Sequence, residues 1–217
     1  MEIRRGPHRI IASYASSHAF APHTRAALAG LGYRLVPAST RGRFDDDSWQ
    51  PDLRIVDARR FDRLPEERYL PRTPIIVLRG ARPRKWRDAR VVGEIPRPAS
   101  LGDLYPLLQT ALEENPRRAA RAPTELPARC TRADRRWMGA ILSLSAEGCL
   151  FRCAGDLGDG TDFNVLFPIP SGHMVSTRAR VSRREGACVG LAFHDPPPPY
   201  REAIEEFVTT RLALSAA

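Results

Sequence analysis

Apolar and polar residues alternate along this chain in two rhythms, and the change between them falls near residue 115. In the first half, short apolar runs are separated by longer mixed stretches. Arg9-Ile10-Ile11-Ala12-Ser13, Arg34-Leu35-Val36, Leu53-Arg54-Ile55-Val56-Asp57 and Ile75-Ile76-Val77-Leu78 read as strands, and Val91-Val92-Gly93-Glu94-Ile95 as a weaker fifth. Ser17 to Leu31 contains a helix starting near Pro22, with Ala27, Leu28 and Leu31 near one face and Gly30 and Gly32 marking its end. Leu101 to Leu112 reads as a closing helix, and Pro106 inside it predicts a late start or a kink. Strand–helix alternation of this kind predicts an α/β unit, a doubly wound parallel sheet covered on both faces.

The second rhythm is shorter. Leu126 to Thr131, Met138 to Leu144, Cys149 to Cys153, Phe163 to Phe167, Met174 to Val181 and Ala187 to Phe193 are six brief strand-like runs. Gly148, the stretch Gly155 to Gly160, Ser171-Gly172 and Arg184-Glu185-Gly186 punctuate them as turns. Regular short strands with turn signals predict an all-β unit, a small antiparallel barrel or sandwich. A tail from Tyr200 to Leu214 carries Ile204, Phe207, Val208 and Leu212 at helical spacing, behind the stiff run Pro196 to Pro199. It is expected to pack on the barrel. The break at Glu113-Glu114-Asn115-Pro116-Arg117-Arg118 divides the chain into domains 1–114 and 115–217.

Composition narrows the choices. Hydrophobic residues at 42% and charged residues at 27% are those of a globular protein. No apolar run approaches the roughly 18 residues of a membrane span, and the N-terminal stretch has no apolar core of signal-peptide length. A cytoplasmic protein with no membrane partner is expected. The cysteines Cys130, Cys149, Cys153 and Cys188 form no CxxC pair and read as buried thiols. No metal is expected.

The net charge of +9 invites an anionic ligand, but 33 of the 34 basic residues are arginine and they are spread over both halves, as a GC-rich genome would produce. Only local clusters can carry function. Arg82-Pro83-Arg84-Lys85-Trp86-Arg87 is the best nucleic-acid candidate, but it holds a single aromatic. Asp45-Asp46-Asp47 reads as an exposed acidic turn. The histidines His8, His18, His23, His173 and His194 are scattered with no nucleophile–base pairing, so the chain does not read as an enzyme.

The first half resembles a response-regulator receiver. Pro51-Asp52-Leu53-Arg54-Ile55-Val56-Asp57 is similar to the third strand that ends in that family's phosphoacceptor, and Arg97-Pro98 to its Lys-Pro pair. Phosphotransfer there needs Mg²⁺ on clustered carboxylates, because Mg²⁺ is a hard ion. Here Ile10-Ile11-Ala12-Ser13-Tyr14-Ala15 supplies none, and Leu78-Arg79-Gly80 stands where the family has Ser or Thr. The resemblance therefore implies a degenerate receiver-like domain over residues 8–114, a docking module for a protein partner or a dimerisation module. Asp57 is expected as a carboxylate at a strand end, solvated and paired with a nearby arginine, and the basic cluster at 82–87 lies where the fourth helix of a receiver would be.

The second half resembles a PilZ domain. Arg117-Arg118-Ala119-Ala120-Arg121 is similar to that family's RxxxR run, and Ser143-Leu144-Ser145-Ala146-Glu147-Gly148 to its [D/N]xSxxG turn. Val189-Gly190-Leu191-Ala192-Phe193 is similar to its late Gly-x-x-Phe strand. This implies a bacterial receptor for the second messenger cyclic di-GMP, with Arg117, Arg118, Arg121, Ser143, Ser145 and Gly148 as ligand contacts and no cofactor besides the ligand. The chemistry suits it. Guanidinium groups fork onto phosphate or guanine and stack on bases. Ser143 and Ser145, alternating with Leu142 and Leu144, put both hydroxyls on one face, and Gly148 is read as freedom for the turn and room for the ring. Ser143 stands where the family has Asp or Asn. A lost charge-assisted bond costs about 1.5–3 kcal/mol, so weaker binding is expected.

The implied protein is a two-domain signalling adaptor in which ligand capture by the arginine arm reorients one domain against the other. Two alternatives stay open. One is a ligand-independent PilZ and receiver-like interaction protein, and the other a nucleic-acid-binding regulator using residues 82–87.

Overall fold

The computed structural model describes residues 8–38, 51–64, 73–80, 85–155, 157–158 and 160–216. They fall into two compact units, one comprising the chain up to Arg117 together with Leu212–Ala217, the other Arg118–Arg211.

The first unit is built on five parallel strands, β1 (Arg9–Tyr14), β2 (Tyr33–Pro37), β3 (Leu53–Asp57), β4 (Ile75–Arg79) and β5 (Val91–Pro96). Their order across the sheet is β2-β1-β3-β4-β5. This is the flavodoxin-like doubly wound order, with its switch point between β1 and β3. All of β3 and the first four residues of β4 are buried, so both faces of the central strands are covered, as the continuous apolar runs predict. Helix α1 (Thr24–Gly30) follows a short 3-10 turn at Ser17–Ala19. Its last glycine is a packing position: a Cβ there would stand 2.6 Å from the Leu212 carbonyl oxygen.

Helix α2 (Leu101–Leu112) corrects the expectation drawn from Pro106. It runs unbroken through the proline. The reason lies at its start, where the Ser100 hydroxyl accepts from the Asp103 N–H and the Asp103 carboxylate accepts from Ser100, a reciprocal capping box. Pro106 lacks only one N–H near the first turn, and the apolar residues Leu101, Leu104, Tyr105 and Leu108 remain buried along one side. A second correction concerns residues 82–87. Those that are described, Lys85 to Arg87, are not helical. Trp86 packs on Phe61 at 4.5 Å between ring centroids and donates its indole N–H to Glu94, 3.0 Å away. The aromatic assigned to nucleic-acid stacking thus belongs to the sheet's core. Arg82, Arg84 and the Asp45-Asp46-Asp47 run lie outside the described residues.

The second unit is a closed antiparallel barrel of β6 (Ala122–Arg132), β7 (Arg135–Ser145), β8 (Gly148–Cys153), β9 (Asp162–Pro168), β10 (Met174–Glu185) and β11 (Cys188–Phe193), in the order β10-β11-β8-β7-β6-β9. All six strands lie where the short rhythm places them. One row of cross-strand partners, Leu144, Cys149, Leu191 and Val181, shows how side chains fill the interior, since each is almost wholly buried. Helix α3 (Pro198–Ser215) starts inside the proline run. Pro198 and Pro199 sit in its first turn, where a missing N–H breaks no helical bond. Ile204, Val208 and Leu212 are buried as their spacing predicts. The expected packing of the whole tail on the barrel is divided: residues to Arg211 group with the barrel and those from Leu212 with the sheet unit.

Candidate functional site

The arginine run ends where β6 begins. Ala122 pairs with Leu144 and Pro123 with Ser143, after which a bulge carries the register on to Leu126 opposite Ile141. This antiparallel pairing lays Arg121 beside the end of β7, so that arginine and the serine turn, distant in sequence, become neighbours in the barrel. A second irregularity, between Ile141 and Ser143 in the pairing with β8, changes the alternation at Leu142. Ile141 and Leu144 both point inward and are wholly buried, while Leu142 is not. Ser143 and Ser145 flank inward-facing Leu144 and share the opposite face.

Their environments differ. Ser145 is 1% exposed, and its hydroxyl donates to the Gly148 carbonyl at 3.0 Å, fastening the two-residue turn Ala146-Glu147. Ser143 is half-buried, and its hydroxyl makes no hydrogen bond among the described residues. Gly148 has a different necessity from the one read in sequence. A Cβ there would stand 2.2 Å from the Leu191 carbonyl oxygen, because the paired strand β11 runs close beside it with Ala192 directly opposite. The glycine admits a neighbouring strand.

Arg121 is half-buried, and its positive charge opposes the rise in the pKa of Cys149. That thiol is held well above its ordinary value by burial and by the nearby Cys130 sulfur. Burial likewise pushes Cys130 up to about 12, so both are protonated, inert core thiols at neutral pH. Cys130 and Cys149 are buried as expected, and Cys153 and Cys188 are partly exposed; all four are free. Among the described residues no cluster of His, Cys, Asp or Glu is placed to hold a metal ion.

Arg118 is exposed in the irregular segment before β6. Arg117 belongs to the first unit, where its backbone N–H donates to the Gln109 side chain at 2.9 Å. Gln109 in turn donates to the Tyr33 hydroxyl at 2.6 Å, and that hydroxyl to Glu113 at 3.3 Å. Arg9 reaches the same carboxylate at 3.5 Å. This buried polar chain borders a cavity of about 510 Å³ lined by Arg9, Tyr33, Tyr105, Gln109, Glu113 and Arg117, among others. Sequence reasoning passed over Gln109, because a lone glutamine on an amphipathic helix carries no motif. Its position on the buried face, one residue after Leu108, was the available signal.

In the first unit the corner read as receiver-like holds Asp57, Arg97 and Ser13. The Asp57 carboxylate is not solvated, as expected from sequence, but buried and fully engaged. It accepts from the Arg59 N–H at 3.0 Å and from the Arg97 guanidinium at 2.8 Å. Strand β1 ends in Ser13 and Tyr14, so no carboxylate faces Asp57 from that side to share a cation.

Comparisons with known proteins bear on the barrel. Residues 115–210 match the family model of the PilZ domain. No curated protein matches the chain. Among solved structures, the Bacillus subtilis inhibitor of motility MotI/DgrA is 16% identical with a TM-score of 0.40, over 44% of this chain and 50% of that one. The PilZ domain of Escherichia coli YcgR with c-di-GMP is 16% identical at a TM-score of 0.36, over 44% of this chain and 90% of that domain. Borreliella burgdorferi PlzA in complex with c-di-GMP is 18% identical at 0.36, over 46% of this chain and 44% of that one. The chain thus matches about half the length of MotI/DgrA and less than half of PlzA.

Proposed function

From the premise that residues 115–210 form a PilZ domain, we propose that the protein is a cytoplasmic cyclic di-GMP receptor and adaptor without catalytic activity of its own. The observation that carries the reading is the register Ala122–Leu144, which brings Arg121 beside the serine turn at one end of the barrel. Arg117, Arg118 and Arg121 would neutralise the two phosphates and stack on the guanines. The Ser143 hydroxyl would face a guanine edge, while Ser145 and Gly148 would shape the turn that presents it. No described helix is long and apolar enough to cross a membrane.

Relay follows from the position of the arm, between domain 1–114 and domain 115–217. Ligand capture would order the arginine segment and reorient the receiver-like domain, which would pass the change to a protein partner. Small-angle scattering of the full chain, with and without saturating cyclic di-GMP, should show altered dimensions. Identical curves would refute the relay.

Isothermal titration of the wild type and of Arg117→Ala/Arg121→Ala tests the receptor itself. Micromolar or tighter binding is expected, weakened about 10- to 100-fold or more in the variant. No heat from the wild type would overturn the reading in favour of the second one, a ligand-independent interaction protein. That second reading is favoured by one observation: Ser145 spends its hydroxyl proton inside the turn.

A further inference from the structure

At the other end of the barrel, the β6–β7 hairpin closes with Arg132 directly opposite Arg135. Counting back along the strands, both lie on the same face as Cys130 and Trp137, which also pair, and Cys130 is wholly buried. The two arginines therefore rise from interior-facing positions at the rim of the mouth. Like charges directly opposite across two strands repel. Neither arginine has an ion-pair or hydrogen-bond partner among the described residues.

The two arginines help line a cavity of about 620 Å³, together with Asp134, Trp137, Gly158 and Phe163. Its volume is in the range of small-molecule pockets, and barrel mouths are among the places where these occur. Trp137 and Phe163 meet edge to face, with centroids 5.3 Å apart and planes at 88°. Such a contact uses one face of one ring and only the edge of the other, leaving aromatic surface toward the cavity. Phe163 is itself 3% exposed, so it is a fixed floor, and half-buried Trp137 is the ring a ligand can reach.

We propose that this mouth is a second binding site, for a nucleoside phosphate. Two guanidinium groups on directly paired residues match a dianionic phosphate monoester, and its arrival would relieve their repulsion. The aromatic wall suits a stacked base. Asp134, in the turn between the arginines, is a carboxylate acceptor for the donors of a sugar or base. The site is separate from the serine turn. Ten residue steps of β6 divide Ala122 from Arg132, about 33 Å at roughly 3.3 Å per residue.

Titration of the full chain with GMP and with AMP, followed by calorimetry and by tryptophan emission, tests the site. Saturable sub-millimolar binding of at least one nucleotide is expected, with an emission change that disappears in Trp137→Phe. Guanosine, adenosine and inorganic phosphate, each lacking half of the recognised chemistry, should bind at least tenfold more weakly. Arg132→Gln/Arg135→Gln should weaken nucleotide binding about tenfold or more while keeping the wild-type melting temperature. Should that pair of changes disturb folding, Arg132→Gln alone serves with the same expectation. Arg118→Ala/Arg121→Ala, at the far end of the barrel, should leave nucleotide binding unchanged whether or not cyclic di-GMP binds there. The proposal is overturned by an absence of saturable binding at several millimolar nucleotide. Binding indifferent to both hairpin variants, or lost in Arg118→Ala/Arg121→Ala, would overturn it too.

Discussion

The two units treat the same amino acid in opposite ways. In the sheet unit, arginines are structural members: Arg97 holds Asp57, Arg79 holds Glu94, Arg90 clasps Asp88, and Arg9 bridges Asp52 and Glu113. The Asp57–Arg97 side chains are only 12% and 23% exposed. In the barrel unit Arg152, Arg178 and Arg180, each paired with a carboxylate, are at least half exposed. Asp162 is surrounded by Arg178, Arg180 and His194, with Arg178 70% exposed. A bond between exposed charges contributes little, whereas a buried pair becomes costly when one partner is removed. Arginine count alone thus says nothing of function in this chain. What sets Arg132 and Arg135 apart is their place at the tip of a hairpin, opposite one another.

Four measurements break or sharpen this contrast. The largest effect is expected from Gly148→Val, which drives a side chain into the β11 backbone and should cost the barrel about 3 kcal/mol or more. Thermal melts of single-tryptophan variants retaining Trp86 or Trp137 report the units separately, and only the Trp137 signal should collapse.

Next is Asp57→Ala. It leaves Arg97 without its carboxylate and the Arg59 N–H without its acceptor, and should destabilise the sheet unit by about 1–3 kcal/mol in denaturant titration.

The third measurement is alkaline titration. Burial raises the Cys130 and Cys149 thiols in the barrel and the Tyr33 phenol in the sheet, where Glu113 adds to the effect. A raised pKa means that the native state holds its proton more tightly, so this stability is complete below the ordinary value and is lost as pH rises. The barrel should start to weaken near pH 9, the ordinary thiol value, with the Cys130 contribution spent by about 12; the sheet should follow from about pH 10. Denaturation midpoints between pH 8 and 11 would show the order.

The smallest effect is Asp162→Ala. Hydrogen bonding from Arg180 lowers the Asp162 carboxyl, which favours the native state above the usual carboxylate range and fades as pH falls. Its arginine partners are more than half exposed, so water screens the pairs and the melting midpoint should not move measurably. A shift as large as that of Asp57→Ala would refute the contrast between buried and exposed arginines.

Much of this architecture was readable from periodicity. Strand β4 announces itself because its first four residues, Ile75 to Leu78, are buried on both faces and so show no polar alternation. The six barrel strands are announced by glycine and proline at regular intervals. The failures came where a local rule met a competing interaction. Pro106 alone argues for a broken helix, but the Ser100–Asp103 box fixes the start five residues earlier, so that only one bond is lost. Trp86 among arginines looked like a stacking residue, yet it packs on Phe61, distant in sequence, and donates to Glu94. The serine turn was legible as a motif, but the use of the Ser145 hydroxyl and the strand above Gly148 depend on pairings that no local pattern encodes. The barrel-mouth arginines were hidden for the simplest reason: their meaning depends on which way a hairpin faces.

The closed circuit of the barrel has a consequence for how the chain can assemble. With β9 joined to both β6 and β10, every strand there has two neighbours, and none offers a free ladder to another molecule. The open sheet ends in β2 and β5, whose outer backbone groups are a template for an added strand. Pro37 and Pro96 stand at the last positions of these two strands, each removing a donor from the rim. Among the described strands, growth by addition is therefore confined to two short edges of one unit, both blunted at the same end.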